Sequence, residues 1–177
     1  TQEEAVKLAV QLFRLSGLEL RSAYYSENEH LGNKRVWDLS FEKSNGREYD
    51  YAHVTIDAAT GDIYSFSRRP AMPLNESAAK SAPDPAVWKE KAFEAVRTLT
   101  PTLADSLYWY EESDSNLNVT PEEYRLIFRR YVGGIPAATG FASVSFDPAT
   151  KEIISYYADF GTEKYPARPP KAISAEK

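Results

Sequence analysis

The sequence repeats itself. Moved along by 87 residues, Ala5, Leu8, Ala9 and Leu12 fall on Ala92, Ala95, Val96 and Leu99, and Trp37, Leu39 and Phe41 fall on Tyr124, Leu126 and Phe128. Beyond the next turn the offset becomes 90. There Val54-Thr55-Ile56-Asp57-Ala58-Ala59-Thr60 matches Val144-Ser145-Phe146-Asp147-Pro148-Ala149-Thr150, and Ile63 matches Ile153. The change of offset falls in a turn between two strands, where insertions are tolerated best. One offset aligning a helix stripe and a later strand, with an Asp-x-Ala-Thr string in both hairpins, predicts a duplicated module. A single copy would have a thin core, so the two are expected to pack together with pseudo-two-fold symmetry.

Each copy reads as α+β. Thr1-Gln2-Glu3-Glu4 has the form of a capping box, and the stripe from Ala5 to Phe13 predicts a helix over 2–16, with Gly17 as its left-handed end. Strands follow at Leu18 to Tyr25, at Trp37-Leu39-Phe41, at Ala52-Val54-Ile56 and at Ile63 to Phe66, by period-two alternation. The second copy opens on Asp84-Pro85, carries the stripe Trp88, Ala92, Ala95, Val96 and Leu99, and stops at Thr100-Pro101. Strands are predicted at Leu107 to Tyr110, Tyr124 to Phe128, Ala142 to Phe146 and Ile153 to Tyr157. The resulting division is a first repeat over 1–68, a proline-rich linker over 69–84, a second repeat over 85–160 and a disordered tail over 161–177. Each repeat is expected to fold as one helix on a sheet of about four antiparallel strands.

Composition excludes several classes. A net charge of −5 leaves no basic footprint for nucleic acid. With no cysteine there are no disulfides, thiolate metal sites or thiol nucleophiles. No apolar run is long enough to span a membrane. The chain begins at Thr1 without a signal-peptide pattern, and it is expected to be a piece of something longer.

No catalytic, cofactor-binding or metal-ligating residue is assigned. Asp57 and Asp147 head turns, where a carboxylate accepts backbone N–H bonds, and they are read as turn residues instead of metal ligands. Asp114-Ser115-Asn116-Leu117-Asn118 opens like a calcium loop but has Val119 where glycine belongs and Arg125 where glutamate belongs. Glu111 and Glu112 would point to opposite faces of a strand. His30 and His53 are the two histidines, with His53 expected on a strand surface, and no Gly-x-Ser-x-Gly elbow accompanies them. The sequons at Asn75 and Asn118 carry no weight. Tyr108, Trp109, Tyr110, Tyr156 and Tyr157 form the candidate interaction surface, with core packing as the competing role for these aromatics.

The strings Val54 to Ile63, Arg129-Arg130-Tyr131-Val132-Gly133-Gly134-Ile135-Pro136 and Val144 to Tyr157 resemble PepSY-type modules, and more closely the YcdB/YcdC repeat proteins of Gram-positive bacteria. Two positions depart from that pattern: Asn45-Gly46-Arg47 stands where Gly-Ile-Pro would sit, and Lys151 replaces the hairpin glycine. The resemblance implies an extracytoplasmic location, secreted or in the cell envelope, and a non-catalytic binding or regulatory module. The partners it implies are a peptide, a protease or another part of the parent chain, with peptidase inhibition among the roles. The alternative is a segment binding cell-wall glycan. Neither reading calls for a cofactor.

Overall fold

Helix α1 (Gln2–Phe13) starts as its sequence dictates. The Glu4 amide donates to Thr1 Oγ1 at 3.3 Å, and the terminal amine of Thr1 reaches Glu4 Oε2 at 2.8 Å. The computed structural model describes residues 1–44, 49–69, 85–110, 119–120, 123–147 and 150–161. The helix ends three residues before the expected position. Arg14 takes the left-handed conformation (φ 52°), and its N–H and that of Leu15 both bond to the Val10 carbonyl. The reason is Leu15, which is fully buried: the chain must turn before it to deliver that side chain to the core. Gly17 is therefore not the cap.

Strands β1 (Glu19–Asn28), β2 (Lys34–Ser44), β3 (Tyr49–Asp57) and β4 (Ile63–Arg69) follow, with a 3₁₀ turn at Glu29–Leu31 between the first two. Helix α2 (Pro85–Leu99) buries Trp88, Ala92, Ala95, Val96 and Leu99, the stripe read from spacing. Pro101 ends it but also starts a one-turn helix, α3 (Pro101–Ala104), since its fixed φ suits a first helical position. Strands β5 (Leu107–Trp109), β6 (Val119–Thr120), β7 (Glu123–Val132), β8 (Ile135–Phe146) and β9 (Ile153–Asp159) complete the described chain. Between β7 and β8, Gly133 and Gly134 have φ of 59° and 82°, the pair of positive values that a two-residue hairpin turn requires.

The nine strands form one antiparallel sheet in the order β1-β2-β3-β4-β9-β8-β7-β5, with β6 pairing beside β5 on β7. This corrects the expectation of a separate four-stranded sheet in each half. β4 and β9 would each have been an edge, and pairing them removes two rows of unsatisfied backbone groups at once. The join is short, three residue pairs centred on Phe66 opposite Tyr156.

One row of the buried face runs from β2 to β7 across six strands: Leu39, Val54, Phe66, Tyr156, Val144 and Leu126. All six are buried, and both helix stripes pack on this face in one continuous core. Period-two alternation with Leu39 and Phe41 also puts Trp37 in the core against the helix stripe, and the structure corrects this. Trp37 shares the face of Leu39 and Phe41 but lies at its margin, half-buried, with its ring centroid 5.0 Å from that of Tyr25. The linker from residue 70, the loop holding Glu111, Glu112 and Asp114 to Asn118, the Asn45-Gly46-Arg47 turn and the tail from residue 162 lie outside the described residues.

Candidate interaction surface

Alternation divides the five aromatic candidates between the two faces of the sheet. Tyr156 points into the core at 1% exposure, with its hydroxyl bonded to Thr100 Oγ1, which donates to the Ile63 carbonyl at 3.0 Å. Burial raises its phenol far above the ordinary value. It is therefore a core residue and belongs to no surface. Trp109, opposite Phe128, packs edge-on to that ring at 5.5 Å, with Lys89 Nζ 5.2 Å above it.

Tyr108, Tyr110 and Tyr157 lie together on the opposite face, which no helix covers among the described residues. There they meet three residues that the sequence reading did not single out. Arg129 stands opposite Tyr108 and places its guanidinium 5.0 Å from the Tyr110 ring and 5.7 Å from that of Phe141. Phe141 in turn lies 5.6 Å from Tyr157, and Tyr131 lies 6.2 Å from Tyr108. The result is an aromatic row across β5, β7, β8 and β9, held by one arginine. Strand parity could have placed Tyr108 and Tyr110 on one face, but which strands lie beside them is set by topology.

The second surface is an edge. Strand β1 ends the sheet, and among the described residues no strand pairs with its outer side. It is ten residues long and carries Leu20, Tyr24 and Tyr25 exposed at 37%, 67% and 52%. Tyr24 and Tyr25 point to opposite faces, so both sides of this edge offer an aromatic ring. Arg21, paired with Glu42, adds a charge that blunts the edge.

The hairpin aspartates are turn residues. Asp57 Oδ1 accepts from the amides of Ala59 and Thr60 at 2.8 and 3.0 Å, and Oδ2 accepts from the Tyr64 hydroxyl at 2.7 Å. Burial pushes its carboxyl up. The hydrogen bonds from Tyr64, Thr60 and Ala59, with the charge of Lys34, outweigh that and hold it below the ordinary value. Asp147 Oδ1 accepts from the Thr150 amide at 3.3 Å. His53 is half-buried on the outer face, 3.9 Å from Asp38 Oδ1, which accepts from Thr55 Oγ1 at 2.7 Å. Among the described residues no group of three or more His, Asp and Glu is placed to hold a metal ion, and no helix is long and apolar enough to cross a membrane.

No curated protein matches the chain. Among solved structures, the C-terminal domain of Bacillus megaterium YpeB superposes with a TM-score of 0.64 over 98% of this chain and 70% of that one, at 13% identity. That degree of identity carries the fold alone. A profile described as the YcdB, YcdC repeated domain matches residues 16–159, which takes in both helix-bearing halves of the sheet except α1. The chain therefore belongs to the YcdB, YcdC repeated-domain family.

Proposed function

We propose that the chain is two fused copies of a PepSY-like repeat that act as a non-catalytic, extracytoplasmic binding or regulatory module, taking an extended peptide along β1. The partner is a segment of a peptidase or of the parent chain. The duplication is supported by backbone detail. Asp57 N–H bonds to Asp62 O at 2.8 Å and Gly61 N–H to Asp57 O at 3.0 Å; Asp147 N–H bonds to Glu152 O at 2.9 Å and Lys151 N–H to Asp147 O at 2.8 Å. Lys151 even holds φ of 60° where Gly61 has 79°. The seam supports it as well, because Phe66 and Tyr156, which match at the offset of 90, stand opposite one another.

The observation that carries the peptide reading is the long open edge with two exposed tyrosines. Unpaired main-chain groups give affinity by strand addition, and alternate side chains give selectivity. A pull-down and inhibition panel with secreted proteases and peptide libraries tests it, followed by hydrogen exchange on any hit. Saturable binding with new protection of β1 amides is the expected result; binding that leaves β1 exchange unchanged overturns the edge. A second reading is favoured by the row Tyr110-Arg129-Phe141-Tyr157, whose open end suits a sugar ring. Binding to cell-wall polysaccharide that weakens in Tyr157→Ala would move the function to wall anchoring.

A further inference from the structure

A cleft of about 440 Å³ opens on the helix side, where the end of α1 meets the β8–β9 hairpin of the other half. Its lining holds four cations, Arg14, Arg68, Lys91 and Lys151, and one acid, Glu152, beside the apolar side chains of Leu12, Phe13 and Ile153. This is a concentration of positive charge on a chain whose net charge is −5. Two of the cations are already matched. Arg68 makes a two-pronged bond to Asp50 at 2.8 and 3.2 Å, and Arg14 lies 3.4 Å from Glu152. Among the described residues no carboxylate lies within ion-pair distance of Lys91 or Lys151. Lys91 Nζ instead donates to the Lys151 carbonyl and stands 5.4 Å from the Phe146 ring centroid and 5.6 Å from that of Trp88.

Crowding has a consequence for Lys91. Burial and the nearby charges of Lys151 and Arg14 pull its ammonium below the ordinary lysine value, against the opposing pull of Glu94 and Glu152, and an anion bound beside it would relieve that crowding. At the matching place in the other half, the hairpin carboxylate of Asp62 is engaged by Thr102, through its amide at 3.3 Å and its hydroxyl, and α3 occupies the space. Among the described residues no element plays the part of α3 beside Glu152, which is met there by Arg14.

We infer that this cleft is a binding site for an amphipathic carboxylate, the acidic side chain or terminal carboxylate of a peptide next to an apolar residue. Lys91 and Lys151 hold the anion while Leu12, Phe13 and Ile153 receive the apolar part. A bare inorganic anion would leave the apolar half of the lining unused. The site lies on strands and helices other than β1 and does not depend on strand addition there.

The test is a titration of the folded chain with N-acetyl-leucyl-glutamate, its fully amidated uncharged counterpart and inorganic phosphate, read by amide NMR shifts. The acid should saturate, moving Arg14, Arg68 and Thr150 to Ile153, and the amidated form should not. Lys91→Gln and Lys151→Gln should each weaken the acid about tenfold, with spectra that confirm the fold; Lys151, being exposed, keeps the test informative if Lys91→Gln unfolds the chain. Equal shifts from the amidated form, unchanged affinity in a folded Lys151→Gln, phosphate binding as tight as the dipeptide, or no saturation would each overturn the site.

Discussion

At the scale of the residue, the two β-hairpins set a single backbone conformation against two different side chains. Gly61 at φ 79° is unstrained, while Lys151 at φ 60° carries the steric cost of a left-handed L-residue. Gly61→Ala should therefore lose about 1 kcal/mol, chiefly through backbone strain, since the added Cβ meets only Leu8 Cδ2 at an ordinary 3.5 Å. Lys151→Gly should gain up to about 1 kcal/mol, reduced by the extra freedom of glycine in the unfolded chain. Urea midpoints of both variants read the two signs directly; a stabilising Gly61→Ala would show that the turn relaxes. Asp57 makes a pH-dependent contribution. Its folded pKa lies below the unfolded one, so the stabilisation is complete above the unfolded value near 4 and is lost as pH falls through the folded value. Asp57→Ala should cost about 2–3 kcal/mol at neutral pH, because the Tyr64 hydroxyl and two turn amides lose their acceptor. It should also flatten the acid limb of the stability curve. An unchanged acid limb would mean that the carboxylate is equally stabilised in the unfolded chain.

Elements were legible where a periodic pattern met one partner, and illegible where the partner came from far along the chain. The stripe of α2 and the alternation of β2, β3, β7 and β8 were readable because each records which face is buried. Nothing in Ile63 to Phe66 or in Ile153 to Tyr157 records which strand lies alongside, so the β4–β9 join and the placement of Tyr156 in the core needed the structure. The end of α1 departs from its local signal for a similar reason. Gly17 is a strong local signal, but burial of Leu15 acts two residues earlier. The open edge was illegible for the same reason, since Tyr24 and Tyr25 are merely strand residues until β1 is known to be terminal. Tyr24→Lys should change stability by less than about 0.5 kcal/mol, given its 67% exposure, while a lysine on the edge disfavours an added strand. Weakened peptide capture at unchanged stability is the expected pair of results. A large loss of stability would mean that Tyr24 packs in a way its exposure does not suggest.

At the scale of the molecule, the decisive question is whether halves so alike unfold together. The main-chain join is slight, three residue pairs between β4 and β9, and taken alone it would let the halves separate. The core argues otherwise. Phe13 of α1 stacks on Phe66 at 3.7 Å, Phe66 adjoins Tyr156 across the seam, and Tyr156 bonds Thr100, which donates back to Ile63 in the first half. Asp62 of the first hairpin is likewise held by Thr102 of α3. Separating the halves would expose Phe66 and Tyr156 together and break these buried hydrogen bonds, each worth about 1 kcal/mol or more where a partner is stranded. The chain should therefore unfold in one cooperative transition. The tryptophans supply the measurement: Trp37 reports the first half, Trp88 and Trp109 the second. In urea, a variant keeping only Trp37 and one keeping only Trp88 should each show a fluorescence midpoint that coincides with its own far-ultraviolet dichroism. Two midpoints, with either tryptophan departing from the dichroism, would mean that the seam couples the halves less strongly than either half holds itself.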